Sequence, residues 1–173
     1  MIPELGHFAL ILSAVVALIL GVFPMIGAHT NRQPWIALAR PAASAMALLV
    51  TISFACLTQA FIANDFSVVY VAQHSNSLLP IEYRIAGVWG GHEGSLLLWI
   101  LMLTWWAFLV AVLSRELPEA MVARVLATLG LVGFGFLLFI LLTSNPFLRM
   151  LPGAAEGRDL NPLLQDPGLV IHP

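Results

Sequence analysis

With 173 residues, of which 60% are hydrophobic and only 9% charged, and a mean hydropathy of +0.95, the chain is excluded from the class of soluble globular domains; most of its solvent is lipid. Its seven basic residues are all arginine, and nine acids leave a formal charge of −2, so no basic face is available for nucleic acid. Cys56 is the one cysteine, which excludes an internal disulfide, a Cys-x-x-Cys redox pair and a Cys-x-x-Cys-His haem-attachment site in this segment.

Four apolar runs follow one another. The first, 5–28, is longer than the apolar core of a signal peptide, and Pro3 and Glu4 stand where a signal carries basic residues, so it reads as a retained span whose far end is loosened by Gly21 and Pro24. After a polar turn through His29, Asn31, Arg32, Gln33 and Pro34, residues 42–62 form a second span; at about 1.5 Å per residue a run of this length covers the roughly 30 Å of hydrocarbon. Residues 63–93 leave the lipid. Asn64-Asp65 breaks the helix, 66–71 suits an extended or interfacial path, Ser75-Asn76-Ser77 reads as a turn, and Pro80 starts a short helix with Glu82 and Arg84. A third span covers 94–113. A polar break, 114–119, precedes the fourth, 122–142, where Gly130, Gly133 and Gly135 permit close helix contact. The predicted fold is all-α and integral to the membrane, with about four transmembrane helices, an external loop 63–93 and a proline-rich external tail 143–173. Arg32, Arg40, Arg115 and Arg124 on one side outnumber Arg84, Arg149 and Arg158 on the other, which points both termini outward.

Two stretches carry chemistry. Trp89-Gly90-Gly91-His92-Glu93-Gly94-Ser95 sets an imidazole and a carboxylate between glycines at the mouth of the third span, and ionisable groups so near lipid are placed for function more than for stability. A helix from about Trp89 puts Trp89, His92, Leu96, Trp99, Leu103 and Trp106 on one stripe. The stripe is either one wall of a flat aromatic pocket or a set of interfacial and packing residues. For Glu93 the candidate partners are Arg84 or another protein. In the tail, Pro162, Pro167 and Pro173 stiffen a loop on which His172 stands; a histidine so held suits a metal or haem iron, the bland alternative being a solvated surface residue.

Asn64-Asp65-Phe66-Ser67, Ser75-Asn76-Ser77-Leu78-Leu79-Pro80, Tyr83-Arg84, the 89–95 stretch, and the tail from Gly157 through Asn161-Pro162-Leu163-Leu164-Gln165-Asp166-Pro167 to Ile171-His172-Pro173 together strongly resemble the CcmF family, the haem lyase subunits of bacterial cytochrome c maturation. The resemblance implies a multi-pass protein of the bacterial inner membrane with functional loops in the periplasm. It implies acceptance of haem from the chaperone CcmE and its ligation to the Cys-x-x-Cys-His motif of apocytochrome c, together with CcmH and CcmI. By the same resemblance His172 is an external axial haem ligand, and Trp89, Gly90, Gly91, His92, Glu93, Gly94, Ser95, Asn161, Pro162, Gln165, Asp166 and Pro167 are haem or partner contacts. It further implies that this chain is the N-terminal portion only, inactive alone, with the second external histidine and the ligands of a haem b beyond Pro173. A related lyase subunit dedicated to nitrite reductase maturation shares these motifs. A quinone- or proton-handling membrane subunit, with His92 and Glu93 as relay groups, and a non-catalytic scaffold are the readings from other classes.

Overall fold

A computed structural model describes residues 1–161 and 168. Its helices are α1 (Ile2–Thr30), α2 (Gln33–Ala37), α3 (Ala39–Ile62), α4 (Val69–His74), α5 (Ile81–Gly87), α6 (His92–Leu113) and α7 (Glu119–Thr143). Four are long and apolar enough to cross a membrane: α1, α2 running into α3, α6 and α7. The apolar runs expected at 5–28, 42–62, 94–113 and 122–142 fall within these helices, each of which begins before its run, while α3 and α6 end where the run ends.

The four long helices close a ring, α1 against α3 and α7, and α6 against α3 and α7. In lipid no hydrophobic force drives helices together, so the seams are built from small residues that admit close backbone approach. Along α1 these are Ala9, Ser13, Ala14, Ala17 and Gly21; on α7 they are Ala123, Ala127, Gly130 and Gly133. Gly21 and Gly130 mark the α1–α7 crossing: a Cβ at Gly130 would meet Leu20 Cγ at 2.8 Å, and one at Gly21 would meet Leu131 Cδ2 at 2.6 Å. Gly133 has ordinary room and Gly135 faces open space, so only Gly130 of the three glycines is demanded by packing. α1 runs through Gly21 and Pro24, both buried, to Thr30.

At one end of the ring, arginines satisfy the carbonyls that helix C-termini leave unpaired. Arg40 donates to the carbonyls of Ala111 and Ser114 at the end of α6 and pairs with Glu119 at 3.3 Å, while Arg124 donates to Ala28 at the end of α1. The opposite end carries the N-terminus of α1, α4 and α5, the turn before α6, and the segment after α7. Arg149 ties these together, donating to Glu4 Oε1 at 2.8 Å and Asp65 Oδ2 at 3.0 Å and also to the Ser67 hydroxyl. Phe147, buried, plugs the space against Gly6 that a methyl group would fill. The elements around residues 66–91 and the chain from 144 to 161 thus form a cap on this end of the bundle.

Candidate functional site

The cap is organised around Tyr70, which is 2% exposed. The α3 helix stops at Ile62, Asn64 takes a left-handed backbone (φ 53°), and Val68 pairs with Arg149 in a single antiparallel bridge. Of the stretch 66–71, expected to run extended or along the interface, only the Val68 bridge is extended; from Val69 the chain turns into α4 and drives Tyr70 beneath the 89–95 turn. The Tyr70 hydroxyl donates to the Val88 carbonyl at 3.1 Å and accepts the Gly91 N–H at 3.0 Å. Burial pushes its phenol well above the ordinary value of 10.0, so it stays a neutral donor and acceptor. His74 packs against the same ring at a tilt of 46°, centroids 4.5 Å apart, with Nδ1 3.0 Å from the Tyr70 carbonyl. A carbonyl can only accept, so Nδ1 carries the proton of the neutral ring and Nε2 the lone pair.

That packing explains two glycines. A Cβ at Gly91 would lie 2.6 Å from His74 Nε2 and 2.8 Å from Tyr70 Cε2. One at Gly94 would strike the Val88 carbonyl and approach the Tyr70 oxygen to 2.5 Å. Neither needs a left-handed backbone; both need space. The turn therefore holds Gly91 extended (φ −127°, ψ 173°) and α6 begins at His92, not at Trp89. Trp89 accordingly leaves the expected stripe and packs, half-buried, against the main core.

From His92 onward the stripe is present. His92 is exposed and meets Phe139 of α7 edge-on at 6.4 Å. Trp99, Leu103 and Trp106 form one wall of a groove of about 310 Å³, with Val132 and Phe136 of α7 opposite, and both indoles point outward (62% and 66% exposed). The groove lies on the outside of the bundle. Glu93 does not pair with Arg84, whose guanidinium goes to the carbonyls of Ser77 and Leu79, both at 2.8 Å. Among the described residues no three potential metal-ligating side chains gather.

The segment after α7 lies as a strap across the cap. Leu148 O accepts from Val69 N at 2.9 Å, Met150 N donates to Ser67 O at 2.9 Å, Ala154 N to Phe66 O at 3.2 Å and Arg158 N to Ala72 O at 2.8 Å. The Asn76 side-chain oxygen accepts from the Leu78 and Leu79 N–H groups, making the expected turn, while its amide donates to Asp159. Glu156 accepts from Ser77 N at 3.0 Å and from Ser77 Oγ at 2.6 Å, bonds that hold its carboxyl below the usual range. Leu160, fully buried, inserts beside Leu79 and Tyr83. Asn161 follows, exposed, at the end of the strap. Pro162, Gln165, Asp166, Pro167 and His172 lie outside the described residues. The structure thus gathers the 89–95 turn and the start of the tail on one end of the bundle. It adds Tyr70, Glu156 and Asp159, to which sequence reasoning gave no role; the cue for Tyr70 was a large aromatic six residues beyond a helix break, a common enough pattern to pass unnoticed.

Residues 89–173 match the family model described as "Cytochrome C assembly protein". The chain is 55% identical, over its whole length, to the cytochrome c-type biogenesis protein CcmF of Pseudomonas aeruginosa, of which it covers 26%. It is 44% identical over its whole length to the cytochrome c-type biogenesis protein NrfE of Haemophilus influenzae, covering 27%. A solved structure titled "Cytochrome c Heme Lyase CcmF" superposes with a TM-score of 0.78 at 22% identity, over 85% of this chain and 25% of that one, which supports the helical membrane fold. The chain spans about a quarter of the length of these relatives. With the motifs from Asn64 to Pro173 in one order, a similarity that runs through the whole chain and a shared fold, this multi-pass membrane chain belongs to the CcmF family of cytochrome c-type biogenesis proteins.

Proposed function

We propose that the chain is the part of a haem lyase that presents the first external haem ligand, His172, in the periplasm of a bacterial inner membrane. Haem arrives from CcmE, and in company with CcmH and CcmI its two vinyl groups are joined to the thiols of Cys-x-x-Cys-His in apocytochrome c. Each S–H adds across a vinyl C=C, forming one S–C and one C–H bond, so the addition has no leaving group. Haem is the substrate in this step. What supports the reading is the strap: it runs from α7 across the cap to Asn161, so the tail starts on the same end of the bundle as the glycine turn 89–95. A neutral imidazole on that tail is a suitable axial ligand for haem iron. The greater identity to CcmF than to NrfE favours a general lyase over one dedicated to nitrite reductase.

The test is His172→Ala in the intact protein. Covalent haem on c-type cytochromes, read by haem stain, is expected to fall to a trace while membrane abundance is unchanged. Normal cytochrome c yield would remove His172 from the site.

A further inference from the structure

We propose that Ser77 and Asn76 on the 75–79 turn, with Glu156 and Asp159 on the strap, are positioning residues that fix the register at which the tail enters the haem-handling face. The proposal rests on the reading of His172 as a haem ligand and adds what aims it. Three observations mark the register independently. Both oxygens of Glu156 are engaged by one residue, Oε1 by Ser77 N and Oε2 by Ser77 Oγ. Asn76 holds the turn with its oxygen and reaches Asp159 with its amide, so one side chain both shapes the loop and grips the strap. Between these grips lies Gly157, where a Cβ would strike the Ser75 carbonyl and stand 2.8 Å from the Phe66 ring.

A slip of the strap by one residue would therefore fail twice. It would set Ala155 or Gly157, neither with an accepting side chain, opposite Ser77, and would push a side chain into the space that only Gly157 fits. The turn cannot follow such a slip, because Arg84 clamps it from below through the Ser77 and Leu79 carbonyls. Leu160, buried beside Leu79 and Tyr83, then stops the strap at a set point. Side-chain grips of this kind contribute little to the stability of a four-helix membrane ring, yet a displacement of about 1 Å at a reacting group is costly. Position is what they supply.

The test uses the intact protein with Glu156→Ala plus Asn76→Ala, Glu156→Gln, and His172→Ala as reference. The double variant is expected at normal membrane abundance, with cytochrome c haem stain reduced several-fold. Co-purified haem should shift from a six-coordinate low-spin to a five-coordinate spectrum, and added imidazole should restore the low-spin form. Glu156→Gln keeps one accepting oxygen for Ser77 and should recover part of the yield. A wild-type spectrum and yield in the double variant, or loss of the protein from the membrane with no change in the spectrum of what remains, would overturn the positioning role. If His172→Ala itself leaves yield and spectrum intact, it is the ligand assignment beneath the proposal that fails.

Discussion

Tyr70 shows how much one hydroxyl organises in this cap. It is the acceptor for the last N–H before α6 and the donor to the carbonyl three residues earlier, so it sets the entry angle of α6. Tyr70→Phe removes both bonds and leaves the Gly91 N–H to find water or stay unpaired, at a cost of about 1–3 kcal/mol to the cap. The expected outcome is faster proteolysis between residues 88 and 95 with the bundle intact, and a local change confined to α4 and α5 would argue that the hydroxyl is dispensable. Gly94→Ala should be worse than Gly91→Ala. At Gly94 the added carbon meets a backbone carbonyl that cannot move, whereas at Gly91 it meets the His74 and Tyr70 rings, which can yield slightly. The pair of glycines was visible in the sequence as a motif, and the reason for them was not, because it depends on two rings about 20 residues upstream.

Among the elements, the strap and α4 were the least legible. Val68, Val69, Tyr70 and Val71 have the composition of a strand, but the Leu148 carbonyl takes the Val69 N–H, and what would have been a ladder becomes one bridge and a helix. The proline-rich tail read as a stiff loop; its pairing with 66–79 joins residues about 80 apart and leaves no local periodicity. By contrast α5 was readable, since proline is disfavoured in a helix interior and suits a helix start, where Pro80 stands. The strap's dependence on carboxylates makes it acid-sensitive with a defined sign. Burial works to raise Asp65, but hydrogen bonds from Ser67 and the Arg149 charge outweigh it, so its carboxyl titrates below the ordinary 3.8, and Glu156 titrates below its ordinary 4.5. Groups with a depressed folded value stabilise fully above the unfolded value and lose that contribution as pH falls through the folded one. Hydrogen-exchange protection of the Met150 and Arg158 amides should thus hold from neutral pH down to 4.5 and fall away below 3.8. Loss of protection already at neutral pH would take control away from these two carboxylates.

For the whole molecule, hydropathy was sufficient for the four spans because apolar runs of this length have few alternatives in lipid, and the ring then fixes which loops share an end. Residues 31–38 and 114–118 lie at one end; Ser77, Trp89 and Glu156 lie at the other. Which end faces outward rests on an arginine margin of four to three, and the structure explains why that margin is thin. Arg40 and Arg124 are committed to helix C-terminal carbonyls, Arg149 to the Glu4–Asp65 node and Arg84 to the Ser77 and Leu79 carbonyls, so at least four of the seven serve packing whatever side they face. Topology therefore needs a measurement in which both ends are probed in the same cells. Cys56 is buried in α3 and is removed first as Cys56→Ser. Single cysteines are then placed at Leu117 and Leu78, which are 46% and 91% exposed, and intact cells are treated with a membrane-impermeant maleimide. Leu78→Cys is expected to label before lysis and Leu117→Cys only after it, the pattern that the proposed function requires of the glycine turn and the strap. The reverse pattern would put the cap in the cytoplasm and remove the proposed lyase reaction from it, and labelling of both before lysis would mean that α6, the helix between the two positions, does not cross the membrane as the ring requires.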